Sequence, residues 1–531
     1  MSLNKEQLQA VNSKSDRILC LAGAGAGKTK SFIDRISRLV QDGVAPSSIL
    51  ALTFTNAAAA EMRSRYEDKN IGKGVPEFRT FHSFCYSVLC KDSAVRSALG
   101  YDGVPGIATD EQEKAIEDKA KIQCKITISD EKVKSRAGLT KKEQFQADLY
   151  DKAVKRLMRS ENLITFDRLN SEVAELFASN DSSTNYYKDV YKYIFVDEFQ
   201  DTDKFQIKFL NSFTNTNFYF CGDTLQEIYR FRGTSNEYIK ALANTPDWEK
   251  IKLFTNYRST NQICAYANDF SAGYADASYR IEMQGIRDGE KVITKRVEKP
   301  SRYDAISTED IDDVLNEISS LQGTSAILCR TNKEVYAITA YLKENGVEFT
   351  SGKDNKFQKL IECTLSDTYL VGYLAAQLPS AKYGEYIKLS VKEQDPDLAW
   401  FISLYGRVSP VMTVYSTVMK LREIAVSQEF TNVKLNQVSE LLNLKNLKET
   451  EQYYEGKDFL NYLKDAVSTG GNSELYVGTI HSVKGLEYDN VFVMNVGSFN
   501  FRLDNEEMKN LFYVAITRAK NRLFVYKVFE Y

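Results

Sequence analysis

Arg17-Ile-Leu-Cys-Leu-Ala-Gly-Ala-Gly-Ala-Gly-Lys-Thr29 runs from an apolar segment through a glycine-alternating loop toward a helix, and this order sets the architecture around it. The run to Leu21 predicts a strand, and Phe32, Ile33, Ile36 and Val40 follow at helical spacing. Between them, Gly23, Ala24, Gly25, Ala26 and Gly27 leave backbone N–H groups free of side-chain obstruction, so they can close around phosphate oxygens at a helix start. Lys28 would then meet β- and γ-phosphates, and Thr29 a Mg²⁺ ion. The strict pattern of such loops asks for Gly where this chain has Ala22. A plain surface loop is the alternative, but it has no need of Lys-Thr between strand and helix.

Downstream, Ile49-Leu-Ala-Leu-Thr53 predicts a second strand and Asn56 to Arg65 a helix, so two β/α units stand side by side. Residues 111–160 change character: 13 Lys/Arg stand against 9 Asp/Glu, and the periodicity is helical. They predict an inserted, mildly basic helical subdomain. The α/β pattern resumes at Tyr193–Glu198, Asn217–Asp223 and Lys252–Ser259, three segments that deliver polar residues where parallel sheets place ligands. Among these, Asp197 and Glu198 are adjacent carboxylates at a strand end, which repel unless a cation or a proton-transfer role compensates. With the phosphate loop nearby, Asp197 is the expected Mg²⁺ partner and Glu198 the base for an attacking water; a solvated strand end is the alternative.

A second α/β region begins near residue 290, with a strand at Thr324–Arg330 and a helix from Lys333 to Glu344 stopping at Asn345-Gly346. Residues 360–465 read as mainly helical, and strands return at Leu475–Thr479, Val491–Asn495 and Arg522–Tyr526. The fold class is α/β: two parallel-sheet cores, each interrupted by a mainly helical insertion. The expected division is 1–90 plus 161–262, with 91–160 inserted, then 263–375 plus 471–531, with 376–470 as a reduced helical insertion.

Composition limits the partners. The 531 residues are 43% hydrophobic, 27% charged and 12% aromatic, a folded chain of several domain-sized units. Net charge is −3, so any polyanion site must be local rather than a bulk effect. Eight scattered cysteines and two histidines, His82 and His481, lack zinc-site spacing. The polar N-terminal segment and strand-sized apolar runs predict neither a secretory signal nor a membrane span, hence a cytoplasmic location.

The ordered motifs from Leu3 to Lys520 resemble those of the UvrD/Rep-like superfamily 1 DNA helicases, a likeness far more specific than any one phosphate loop. Leu3-Asn-Lys-Glu-Gln7 is similar to the family's Gln motif, Ala22–Thr29 to its phosphate loop with Ala in first position, and Asp197-Glu-Phe-Gln-Asp-Thr202 to its second motif. The resemblance implies two RecA-like motor domains using ATP and Mg²⁺. Gln7 would read the adenine edge, Tyr257 would supply an adenine platform, and Gln226 would sense the γ-phosphate. Arg258 and Arg518 would be arginine fingers from different cores, and Gly485 and Glu487 would lie on the nucleotide side, Glu487 at the ribose. Single-stranded DNA would be touched by Phe54, Asn56, His82, Phe166, Tyr229, Phe231, Arg232, Thr479 and His481.

Read without the family, Phe54 and Phe166 suit core packing better, whereas Phe231 between Arg230 and Arg232 suits DNA contact. Each histidine is divided between a core hydrogen bond and a functional role. Ala57 stands where the family usually has Lys, and the 380–470 region is much shorter than in the large members, so hydrolysis is better supported than processive unwinding. The expected activity is a DNA-dependent ATPase that translocates 3′ to 5′ on single strands and acts at single-strand/duplex junctions. The alternative is a DNA-sensing ATPase subunit, as in Gabija-type anti-phage systems, that regulates a partner nuclease with little unwinding.

Overall fold

The computed structural model describes residues 3–72, 74–126, 138–230, 233–297, 306–351, 474–498 and 500–528. Its first sheet has six strands in the order Glu77–Thr80, Ile49–Thr53, Tyr193–Val196, Asn217–Gly222, Arg17–Ala22, Glu249–Leu253, and every pairing is parallel. All six strands therefore end on the same edge, where the segments carrying Gly23, Phe54, Phe81, Asp197, Asp223 and Phe254 begin. The strand Ile49–Thr53 is buried throughout, the pattern of a sheet covered on both faces.

Helix Lys28–Gln41 forms because Phe32, Ile33, Ile36 and Val40 share a face, and all four are buried against Ile18, Cys20, Phe195 and Tyr219. Each contributes roughly 2 kcal/mol by burial, which holds the loop preceding the helix against the sheet. The Phe32 ring meets Phe195 edge-on at 5.2 Å.

The expected insertion contains helices Asp110–Cys124 and Lys141–Ser160, each opened by a threonine capping box, at Thr109 and Thr140. They share a small core of Ile116, Ala120, Tyr150, Ala153, Val154 and Met158.

The second sheet runs Ile293–Val297, Ala519–Val528, Tyr488–Val496, Ser325–Cys329, Leu475–Thr479, Thr350–Ser351. Ser325–Cys329 pairs in parallel with both Leu475–Thr479 and Tyr488–Val496. Its core gathers Val314, Ile327, Ile338, Val477, Phe492 and Phe524, with Phe492 and Phe524 stacked at 4.5 Å. Two RecA-like parallel-sheet cores are thus present. The helical insertion expected at 376–470, like Phe231 and Arg232, lies outside the described residues.

The outer strand Glu249–Leu253 ends the first sheet on one side, and Thr255–Asn256 beyond it pairs in parallel with Gln284–Gly285. The chain also groups into compact units made of Met1–Val292 with Leu503–Leu523, and of Ile293–Arg502 with Phe524–Tyr531. Residues 263–292 and Arg518 thus lie in the same compact unit as the first sheet. Side-chain bonds within this unit join its distant stretches: Tyr274 Oη donates to Asn510 Oδ1 at 3.1 Å, and Asn510 Nδ2 to Glu227 O at 3.2 Å.

Candidate nucleotide site and nucleic-acid face

The phosphate loop turns on two glycines in the left-handed region, Gly25 at φ 69° and Gly27 at φ 74°. A Cβ on Gly25 would stand 2.7 Å from Arg258 Cβ, and one on Gly27 would stand 2.7 Å from Gln7 Nε2, so backbone angle and neighbours both exclude a side chain. The loop's carbonyls are tied to the protein. Asn256 Nδ2 donates to Ala24 O at 2.8 Å, Tyr257 N to Gly25 O at 3.0 Å, and Gln7 Nε2 to Ala26 O at 3.1 Å. Lys28 and Thr29 open the helix, whose first turn has no side-chain cap. That start can receive anionic oxygens.

Gln7, expected at the adenine edge, is buried with both polar side-chain atoms engaged: Oε1 accepts from Asn4 N at 3.2 Å, closing a capping box, while Nε2 holds Ala26. Tyr257 and Arg258 follow Asn256, whose Oδ1 accepts from Arg258 N at 2.8 Å and Ser259 N at 2.7 Å. Asn256 thus joins the phosphate loop to the turn bearing both residues.

Asp197 and Glu198 leave the end of Tyr193–Val196. Burial first, and then the neighbouring Glu198 charge, push Asp197 up to about 7, with Lys28 opposing. Its Oδ1 is buried without a hydrogen-bond partner. Glu198 sits at φ 51°, a left-handed position that costs a non-glycine residue about 1 kcal/mol or more. Burial works against the Lys28 ammonium, but Glu198, Asp223, Cys221 and Asp197 outweigh it and its net shift is upward.

Gln200 connects two of these strand ends. Fully buried, it donates from Nε2 to Glu198 Oε2 and accepts at Oε1 from Asp223 N at 3.0 Å. Asp223 in turn accepts from Gln226 Nε2 at 2.7 Å, and Gln226 Oε1 accepts from Arg518 Nη2 at 3.3 Å. Arg518 is 2% exposed and also donates from Nε to Val514 O at 3.0 Å. Burial first, then the nearby Arg258 charge, draw its guanidinium down to about 9. Arg258 Nη1 donates to Thr517 O at 3.0 Å, so both arginines converge on the same edge of the first sheet. Lys28, Asp197, Glu198, Gln226, Arg258 and Arg518 are thereby gathered in one unit. Gln200 and Asn256 are connecting residues to which the sequence resemblance gives no role.

An orphaned buried carboxylate oxygen, two glycines that a Cβ would block and an uncapped helix start suit a Mg²⁺–polyphosphate. A magnesium ion needs only one or two protein oxygens when phosphates complete its shell.

Of the residues expected to face DNA, Phe54 stacks on Tyr229 with ring centroids 5.4 Å apart and planes 11° from parallel, both half-buried. Phe166 is 58% exposed, which corrects the core reading for this ring, and His82 meets it edge-on at 6.0 Å. Asn170 Nδ2 lies 3.1 Å from His82 Nε2, and burial draws the imidazole pKa down against the pull of Asp203 and Asp167. Asn56 is exposed at the start of its helix and accepts from Thr80 Oγ1 at 3.5 Å. Thr479 closes a strand of the second unit, His481 lies in the turn that follows, and Gly485 and Glu487 are exposed beyond it.

Residues 3–247 match the UvrD/REP helicase N-terminal domain, and residues 251–375 and 380–529 the UvrD-like helicase C-terminal domain. The chain belongs to the UvrD/Rep helicase family. Family membership makes it an ATP-hydrolysing enzyme of the DNA helicase type. A probable DNA helicase II homolog of Mycoplasma capricolum is 26% identical to it over 98% of this chain and 84% of its own length. The ATP-dependent DNA helicase PcrA of Bacillus subtilis is 26% identical over 98% of this chain and 82% of its own. Among the described residues, no helix of this UvrD/Rep family member is long and apolar enough to cross a membrane.

Proposed function

We propose that the chain hydrolyses ATP with Mg²⁺ when single-stranded DNA is bound and moves 3′ to 5′ along that strand, working at single-strand/duplex junctions. The observation that carries the hydrolytic part is the continuous path Glu198–Gln200–Asp223–Gln226–Arg518, which links a base, a sensor and an arginine through hydrogen bonds. Lys28 binds the β- and γ-phosphates, while Gly23 to Gly27 present backbone N–H groups to them. Thr29 and Asp197 are the residues to hold Mg²⁺, which when bound supplies charge neutralisation on the transferring phosphoryl group. Glu198 takes the proton from the attacking water, and Gln200 keeps its carboxylate turned toward the site. Arg258 and Arg518 stabilise charge that develops on the γ-phosphoryl oxygens, with Gln226 fixing the Arg518 fork.

On the opposite task, Phe54 with Tyr229 and His82 with Phe166 offer ring faces that hold bases without reading sequence. Strand displacement on duplexes carrying a 3′ or a 5′ single-stranded tail tests the assignment. Displacement restricted to the 3′-tailed substrate is expected; a 5′ preference, or ATP turnover indifferent to DNA, would overturn it.

One observation favours a second reading. The alignment with the Mycoplasma capricolum protein spans 617 positions against a 531-residue chain, so that relative carries internal residues this chain lacks. A compact motor of this kind suits a DNA-sensing ATPase that regulates a partner nuclease in anti-phage defence. Copurification with a nuclease and weak strand displacement would select it, and strong displacement by the isolated chain would reject it.

A further inference from the structure

Helix Glu506–Ile516 is tied by charge to the segment that follows Gln226. Glu506, in its first turn, accepts from Lys240 Nζ and from Asn236 Nδ2 at 3.2 Å, and its Oε2 lies 3.8 Å from Arg230 Nη2. Arg230 also faces the wholly buried Glu227, with Nε 3.6 Å from Oε2. Glu227 accepts from Thr234 Oγ1 at 3.2 Å, and its backbone oxygen accepts from Asn510 Nδ2, one turn along the same helix, at 3.2 Å. Just beyond the helix, Arg518 reaches Gln226 at 3.3 Å. The helix and the residues just past it therefore hold the segment at three points: Arg230 through Glu506, Glu227 through Asn510 and Gln226 through Arg518.

The two outer contacts differ in exposure. Arg518 is 2% exposed, whereas the Arg230 side chain is 44% exposed and the Glu506 side chain 34%. The Arg230 contacts at 3.6 and 3.8 Å are longer than charge-assisted hydrogen bonds, so its guanidinium is shared rather than locked. A backbone phosphate passing Tyr229 can compete for it, because the planar guanidinium fork pairs with two oxygens of a phosphate as it does with two of a carboxylate. Any such exchange changes the pull on Glu506, and the helix transmits it to the residue two places past its end.

We propose that Glu506 is a positioning residue: through its pairing with Arg230 it makes the placement of Arg518 beside Gln226 depend on whether the Tyr229–Arg230 segment holds a DNA strand. This rests on the reading of the chain as a DNA-dependent ATPase.

The test is steady-state ATP hydrolysis by the full chain, without DNA and with saturating oligodeoxythymidylate. For Glu506→Gln, basal turnover and the KM for ATP stay within about twofold of the parent, while DNA-saturated turnover falls about tenfold, the size of an ordinary coupling term. Glu506→Asp, which restores the charge, recovers much of the stimulated rate. Full stimulation of Glu506→Gln overturns the inference, as does an equal loss of basal and stimulated turnover in both variants. If Glu506→Gln shows no cooperative melting, Arg230→Met at saturating DNA replaces it: lost stimulation supports the inference and retained stimulation overturns it. Failure of the parent chain to respond to DNA at all would instead sink the underlying reading.

Discussion

Arg518 Nη2 donates to Gln226 Oε1 at 3.3 Å, joining residues 292 positions apart in sequence at the edge of one parallel sheet. The guanidinium is buried among groups that do not neutralise it fully, since burial and Arg258 both act against its charge. A γ-phosphoryl group gaining negative charge relieves that cost, so the arginine is worth most in the transition state. Arg518→Ala should lower kcat for ATP by about 10²–10⁴-fold and leave nucleotide affinity within severalfold. Rapid-quench turnover beside equilibrium nucleotide binding measures both. An affinity loss as large as the rate loss would show that Arg518 acts in ground-state binding.

Lys28 and Glu198 should separate binding from chemistry. Lys28→Ala removes the phosphate clamp and is expected to abolish both nucleotide binding and hydrolysis. Glu198→Gln removes the base while keeping side-chain size, so hydrolysis is lost and ATP–Mg²⁺ binding persists. Fluorescent-nucleotide titration distinguishes them; equal loss of binding in the two variants contradicts the assigned roles.

Asn256→Ala tests the latch between the phosphate loop and the Tyr257–Arg258 turn. It leaves Ala24 O and the N–H groups of Arg258 and Ser259 without their partner. A loss of about 2–4 kcal/mol in denaturant unfolding and a raised KM for ATP are expected. An unchanged KM would mean the loop holds its shape without Asn256.

Asp197 gives a pH signature. Its folded-state pKa of about 7 lies above the ordinary 3.8. The protonated form is therefore favoured by folding: the stabilisation is complete below about pH 4 and is lost as pH rises through 7, by at most about 4 kcal/mol. In nucleotide-free protein, Asp197→Asn should match the parent at low pH and become the more stable of the two toward pH 8. Melting curves across that range check it, and a constant difference would refute the assignment.

How much of this was written in the sequence depends on range. The strands at Arg17–Ala22, Ile49–Thr53 and Leu475–Thr479 were legible because apolar runs and flanking turns are local signals. Lys28, Asp197 and Glu198 were legible because strand, loop and helix follow one another directly. Gln200 was not, because its importance lies in reaching Asp223 on another strand. The pairing of Thr255–Asn256 with Gln284–Gly285 was hidden as well, because no local signal marks a partner strand that far along the chain. The grouping of Arg518 with Gln226 likewise depends on Asn510, Tyr274 and Glu227, which no local periodicity connects.

The late position of Arg518 has a consequence for biosynthesis. Gln226 emerges from the ribosome 292 residues earlier, which at about 5–20 residues per second is roughly a quarter of a minute to a minute. Throughout that interval the growing polypeptide carries Lys28, Asp197 and Glu198 but lacks the arginine that completes the constellation. The hydrolytic constellation thus closes only at the end of synthesis, and translation products truncated before Arg518 should be inert as motors.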